Sequence, residues 1–128
     1  MDKKILVVDD SVGVLREMVR ILKQTGLEVI TASSGMEAMK MMMAEKPILV
    51  FLDLMLPEMN GDIVCKFIKG MPDIKDTPVI IVTAAGEQYL QRCFQSGCDA
   101  YIIKPVSEND ILQKVKTIFD ERNIPVSW

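Results

Sequence analysis

The stretch Ile48-Leu49-Val50-Phe51-Leu52-Asp53 decides the fold. Five consecutive apolar residues without alternation mark a strand covered on both faces, as in a parallel sheet, and the run stops on a carboxylate. Two further runs share this design: Ile5-Leu6-Val7-Val8 leads into Asp9-Asp10, and Val79-Ile80-Ile81-Val82 leads into Thr83. Leu27-Glu28-Val29-Ile30-Thr31 carries a charge and alternates only in part, which suits an edge strand. Ala100-Tyr101-Ile102-Ile103 leads into Lys104 and is halted by Pro105, giving a fifth strand.

Helical spacings fill the intervals. Leu15, Met18, Val19 and Leu22 recur as one helix face, as do Ile111, Leu112, Val115, Ile118 and Phe119. Val64, Phe67 and Ile68 mark another helix, and Leu90, Cys93 and Phe94 a fourth, closed by Gly97 at a left-handed position. Ser34-x-x-Glu37 and Ser107-x-x-Asp110 read as capping boxes. The methionines at 39 and 41–43 read as helix packing, since thioethers fill irregular gaps. Strand and helix thus alternate five times, and right-handed crossovers join such units into a doubly wound five-stranded parallel α/β sheet.

Composition narrows the function. At 128 residues the chain suits one domain, and its balance of 49% hydrophobic to 26% charged residues is that of a globular protein. A net charge of −3 opposes phosphate backbones, so direct nucleic-acid binding is not expected. Histidine is absent, which excludes a histidine base, metal ligand or phosphohistidine within the chain. Cys65, Cys93 and Cys98 have no metal-ligand spacing and read as small buried side chains in a reducing compartment. The N-terminal apolar run is too short for a signal peptide or membrane span, so a cytoplasmic location is expected, with no membrane partner.

In a doubly wound sheet the site lies beyond the carboxyl ends of the strands. Asp9, Asp10, Asp53, Thr83 and Lys104 close four apolar runs and would share that edge. Three carboxylates gathered there repel one another by about 4 kcal/mol per pair at about 4 Å and an effective dielectric of about 20. Lys104 offsets part of this, and an oxygen-loving Mg²⁺ would offset the rest. The set suits phosphoryl transfer, with Asp53 as nucleophile, because carboxylates form aspartyl phosphates. Each residue also has a plainer reading: Asp10 as a helix cap, Asp53 as a turn residue before Pro57, Thr83 as an ordinary strand residue and Lys104 as a solvated end. Their coincidence at one edge weighs against all four plain readings at once.

The segments Leu6-Val7-Val8-Asp9-Asp10-Ser11, Asp53-Leu54-Met55-Leu56-Pro57-Glu58-Met59-Asn60-Gly61, Val82-Thr83-Ala84-Ala85 and Tyr101-Ile102-Ile103-Lys104-Pro105 resemble the receiver domain of two-component response regulators, from about Lys3 to Phe119. The single-domain chemotaxis-type regulators are similar in form. The resemblance implies the flavodoxin-like (βα)5 fold with strand order 2-1-3-4-5. It also implies Mg²⁺ at Asp9, Asp10, Asp53 and the backbone carbonyl of Met55, and phosphoryl acceptance at Asp53 from a histidine kinase or histidine phosphotransfer protein. Thr83 and Lys104 would engage phosphoryl oxygens, Tyr101 would be the rotameric switch, and the Lys104-Pro105 bond would be cis. The signal would leave through helix four, strand five and helix five, where Gln88, Gln91, Arg92 and Gln95 are expected to be exposed. The implied output is a downstream protein or effector domain, or a homodimer formed on phosphorylation. The expected boundaries are a receiver domain over 1–122 and a short tail over 123–128, ending in Trp128. Met55 and Ala85 would flank the phosphoryl group, and neither can orient an attacking water, so a long-lived phosphoryl group is expected.

Other classes share parts of this pattern. A haloacid dehalogenase-type phosphohydrolase shares the Asp, Thr, Lys and Mg²⁺, yet it carries Asp-x-Asp on the first strand, which Asp9-Asp10-Ser11 does not match. A flavodoxin-like FMN carrier would set its phosphate against acids after strand one. A phosphorylation-independent interaction module fits poorly with an intact set of Asp9, Asp10, Asp53, Thr83 and Lys104. The expected protein is no enzyme acting on a free substrate; it catalyses only its own phosphorylation and dephosphorylation.

Overall fold

The computed structural model describes residues 3–84 and 86–126. Strands β1 (Lys4–Val8), β2 (Glu28–Ala32), β3 (Leu49–Asp53), β4 (Val79–Thr83) and β5 (Ala100–Ile103) alternate with helices α1 (Val12–Leu22), α2 (Gly35–Glu45), α3 (Gly61–Gly70), α4 (Leu90–Gln95) and α5 (Glu108–Glu121). One sheet results, in the order β2-β1-β3-β4-β5, with every neighbouring pair parallel.

The period-two alternation of strand side chains explains the unbroken apolar runs. Leu6, Val8, Val50, Leu52, Val79 and Ile81 pack on one face with Ala38 and Met42 of α2, Val64, Cys65 and Ile68 of α3 and Cys93 of α4. Ile5, Val7, Leu49, Phe51, Ile80 and Val82 pack on the other with Met18, Ile21 and Leu22 of α1 and Ile111, Val115, Ile118 and Phe119 of α5. Two cores therefore share each central strand, and a one-residue slip would exchange their contents. As an edge strand, β2 leaves Glu28 and Thr31 exposed.

The capping signals act where the sequence places them. The Ser34 hydroxyl accepts from the Glu37 amide at 3.2 Å, and the Glu37 carboxylate reaches back to the Ser33 amide at 2.7 Å. The Ser107 hydroxyl accepts from the Asp110 amide at 3.0 Å. Gly97 takes φ +92 just past α4, as the left-handed helix stop requires. Asn123, at φ 58, does the same after α5, and the following Ile124 and Val126 pack against the α1/α5 core.

Several side chains differ from expectation. Ile21 takes the place of Val19 in the buried row of α1, because Met18, Ile21 and Leu22 form one i, i+3, i+4 stripe and Val19 falls on its flank, half-buried. Gln88 lies in a 3₁₀ turn over Glu87–Tyr89, before α4 begins. Of the methionine cluster, Met42 is fully buried and Met39 and Met41 pack partly, whereas Met43 reaches the surface. Phe94 is 52% exposed and is not a core residue. Cys65, Cys93 and Cys98 are free thiols, the first two buried and Cys98 half-buried; burial pushes the Cys98 thiol up to about 12.

At the end of the sheet opposite the predicted site, Asp99 gathers three donors. Lys69 Nζ and the Val79 amide each lie 2.8 Å from its Oδ2, and Arg122 approaches Oδ1 at 3.3 Å. This clasp ties α3, β4 and the end of α5 together.

Candidate functional site

Parallel pairing brings the predicted residues to one edge. Asp53 is the last residue of β3, Asp9 directly follows β1 and Thr83 ends β4. The Lys104 amide donates to the Thr83 carbonyl at 2.8 Å, which fixes β5's exit beside β4's. Carboxylate oxygens of Asp9, Asp10 and Asp53 all lie within 4.8 Å of one another. Asp9 and Asp53 are buried, at 3% and 5% exposure, and Asp10 faces solvent.

Local hydrogen bonding orients each acid. Asp9 Oδ1 accepts from the Ser11 amide at 2.9 Å, and Ser11, not Asp10, caps α1 through the Val14 amide. Asp10 is therefore released from the capping role. Asp53 Oδ1 accepts from the Met55 amide at 3.3 Å, while the Met55 side chain is exposed. Lys104 Nζ bridges the two buried acids, at 2.8 Å from Asp9 Oδ2 and 3.3 Å from Asp53 Oδ2.

The loop after β3 is held just as closely. The Gly61 amide donates to the Leu54 carbonyl at 2.7 Å, and a Cβ on Gly61 would lie 2.1 Å from the Asp53 carbonyl oxygen. Only glycine permits that approach.

Electrostatics follow from burial. Desolvation raises the Asp53 carboxyl above its ordinary value and Asp9 adds to the rise; Lys104 and the Met55 amide oppose it without cancelling it. Burial works against the Lys104 ammonium, yet Asp9 and Asp53 together outweigh it, so its pKa is raised. An edge with three oxygen donors and one shared ammonium is short of positive charge. Hard carboxylate oxygens at this spacing, one of them open to water, fit a small divalent cation that keeps several waters.

Tyr101 sits apart from the carboxylates. It pairs with Ile81 across β4/β5, is half-buried, and meets Phe94 edge to face with ring centroids 5.5 Å apart. The Lys104-Pro105 bond is cis, as the resemblance implied. Gln88, Gln91, Arg92 and Gln95 are exposed, yet Arg92 clamps the buried Asp62 of α3. The two residues lie thirty positions apart on different helices, and no sequence signal pairs them. Ala85 and Trp128 lie outside the described residues.

Comparison with known proteins agrees with this geometry. The family model described as "Response regulator receiver domain" matches residues 5–116, and the chain belongs to that family. It is 38% identical over 125 residues to the alkaline phosphatase synthesis transcriptional regulatory protein PhoP of Bacillus subtilis, covering 97% of this chain and 51% of that protein. It is 37% identical over 119 residues to the transcriptional regulatory protein SrrA of Staphylococcus aureus, covering 92% and 48%. The chain spans about half the length of these curated relatives. A CheY-like response regulator receiver domain protein from Methanospirillum hungatei JF-1 superposes with a TM-score of 0.88 at 31% identity, covering 96% of this chain and 98% of that one. The BeF3-activated DrrB receiver domain gives 0.83 at 30% identity, covering 94% and 99%. The chain forms a receiver domain of the two-component response regulator family, with the flavodoxin-like strand order 2-1-3-4-5, and the hydrolase and interaction-module readings are not favoured. Among the described residues no helix is long and apolar enough to cross a membrane.

Proposed function

We propose that Asp53 accepts a phosphoryl group from a phosphohistidine donor, a histidine kinase or histidine phosphotransfer protein, and that the chain passes the change to a partner through α4, β5 and α5. The carrying observation is the gathering of Asp9, Asp10 and Asp53 within 4.8 Å, with Lys104 bridging two of them. A carboxylate oxygen of Asp53 attacks phosphorus, the bond from phosphorus to the donor nitrogen breaks, and its electron pair stays with the donor imidazole. The product is an acyl phosphate on Asp53.

Asp9, Asp10, Asp53 and the Met55 carbonyl would hold Mg²⁺, which supplies neutralising charge for the carboxylates and for the oxygens of the incoming group. Lys104 leaves its present acids to pair with one phosphoryl oxygen. The Thr83 hydroxyl, at the end of β4, hydrogen-bonds another. As Thr83 moves toward the phosphoryl group, Tyr101 gains room to turn inward, and this biases the surface around it. No free substrate is turned over. The receiver unit occupies 1–122 with 123–128 as a short tail, and the site of action is the cytoplasm. The output is a downstream protein, an effector domain or a homodimer formed on phosphorylation.

Incubation with acetyl phosphate and Mg²⁺ tests the reading. It predicts one phosphoryl group per chain, lost on chelation and in Asp53→Ala; labelling that survives both treatments refutes it.

A further inference from the structure

Among the described residues three carboxylates are buried, Asp9, Asp53 and Asp62, and the site accounts for the first two only. Asp62 stands on the first turn of α3 and is 4% exposed. Arg92 of α4 holds it at two points, with Nε 2.8 Å from Oδ2 and Nη2 3.4 Å from Oδ1. Two-point guanidinium contacts fix orientation as well as distance.

The two ends of this clamp differ in freedom. Asp62 follows Gly61, which is pressed against the Asp53 carbonyl and bonded to Leu54, so Asp62 is registered to the acceptor loop. Arg92 belongs to a helix of only six residues, in which Cys93 alone is buried. The next residue, Phe94, lies over Tyr101 with an interplanar angle of 85°. Three consecutive residues of α4 thus reach the first turn of α3, the core and Tyr101.

We propose that the Asp62–Arg92 pair sets the position of α4 over Tyr101, and with it the fraction of unphosphorylated protein in the switched state; Arg92 is the positioning residue. This rests on the receiver reading of Asp53 and Tyr101. With the pair intact, Phe94 holds the Tyr101 ring in its half-buried orientation. With the pair broken, Cys93 is the one buried anchor left to α4, Phe94 leaves the ring, and Tyr101 turns inward more often. By linkage, a shift of the acceptor loop on phosphorylation pulls on Asp62 and moves α4 through Arg92.

The test uses the full chain labelled with 3-fluorotyrosine. Its two tyrosines, Tyr89 and Tyr101, give two fluorine resonances, assigned with Tyr89→Phe. Beryllofluoride with Mg²⁺, a stand-in for the phosphoryl group, defines the switched position of the Tyr101 resonance in the parent. Without beryllofluoride, Arg92→Ala and Asp62→Asn should move that resonance toward the switched position, a rise of about threefold or more in the switched-to-unswitched ratio. Arg92→Lys, which keeps a cation for Asp62, should remain near the parent. Acetyl phosphate should still label Asp53 in all three. If Asp62→Asn fails to fold, Arg92→Ala, altered on an exposed residue, carries the test. An unmoved Tyr101 resonance in folded, labelled Arg92→Ala overturns the inference and leaves the receiver reading standing. A parent that neither labels nor responds to beryllofluoride overturns the receiver reading, and the inference with it.

Discussion

Lys104 Nζ lies closer to Asp9, at 2.8 Å, than to Asp53, at 3.3 Å. The cation proposed to meet the phosphoryl group is stored mainly on the acid that does not accept it. This keeps Asp9 satisfied while Asp53 is only partly neutralised. Asp53 therefore carries the strained charge of the site, consistent with its raised pKa.

Removing the ammonium leaves two buried carboxylates facing each other. Lys104→Met should cost roughly 2–3 kcal/mol, below the range for fully buried pairs because the Lys104 side chain keeps 21% exposure. Mg²⁺ should restore more stability to this variant than to the parent. Urea denaturation with and without the metal measures both effects.

The pH dependence follows from the direction of the Asp53 shift. Because burial first, and then Asp9, raise its folded pKa above the ordinary carboxylate value, the folded state favours the protonated form. The ionised group lowers stability at neutral pH, and the loss is relieved as pH falls through the folded pKa toward the unfolded one. Without divalent metal, Asp53→Asn should melt above the parent at neutral pH. The gap should close as pH falls into the ordinary carboxylate range. A gap that widens on acidification would contradict the shift.

Gly61→Ala sets a methyl group against the Asp53 carbonyl, at the 2.1 Å approach that only glycine allows. The backbone must yield, at a cost of about 1–3 kcal/mol. The movement displaces Asp53 as well, so labelling by acetyl phosphate should slow together with the loss in thermal stability. Slow labelling separates this variant from a plain core defect.

Met55 is exposed beside Asp53, the proposed acceptor, and its thioether cannot orient water for attack on an acyl phosphate. The phosphoryl group should decay slowly after donor removal, and Met55→Asn should speed that decay. Equal decay in parent and variant would show that water orientation at this position is not limiting.

The sheet was legible in the sequence because its central strands are buried on both faces, which makes them unbroken apolar runs of strand length such as Leu49–Leu52. The site was legible because each run stops on a polar residue and parallel strands stop at one edge, which places Asp9, Asp53, Thr83 and Lys104 together without any knowledge of angles. Side-chain partners between helices were not legible. Arg92 read as one more exposed polar residue, and the buried Asp62 it holds lies on a different helix. Phe94 read as part of an apolar helix face with Leu90 and Cys93, but only Cys93 of that face is buried, and Phe94 lies 52% exposed against the Tyr101 ring. Asp10 read as a helix cap, but the Ser11 hydroxyl caps α1 through the Val14 amide while the Ser11 amide donates to Asp9.

The chemistry at Asp53 is tested most directly by trapping the labelled residue. After incubation with acetyl phosphate and Mg²⁺, borohydride reduces an aspartyl phosphate to homoserine, and mass spectrometry of the digested chain locates the change. Homoserine at position 53, absent when the metal is chelated, is the predicted result. Homoserine at Asp9 or Asp10 in place of Asp53, or none anywhere in a chain that has taken up a phosphoryl group, would contradict it.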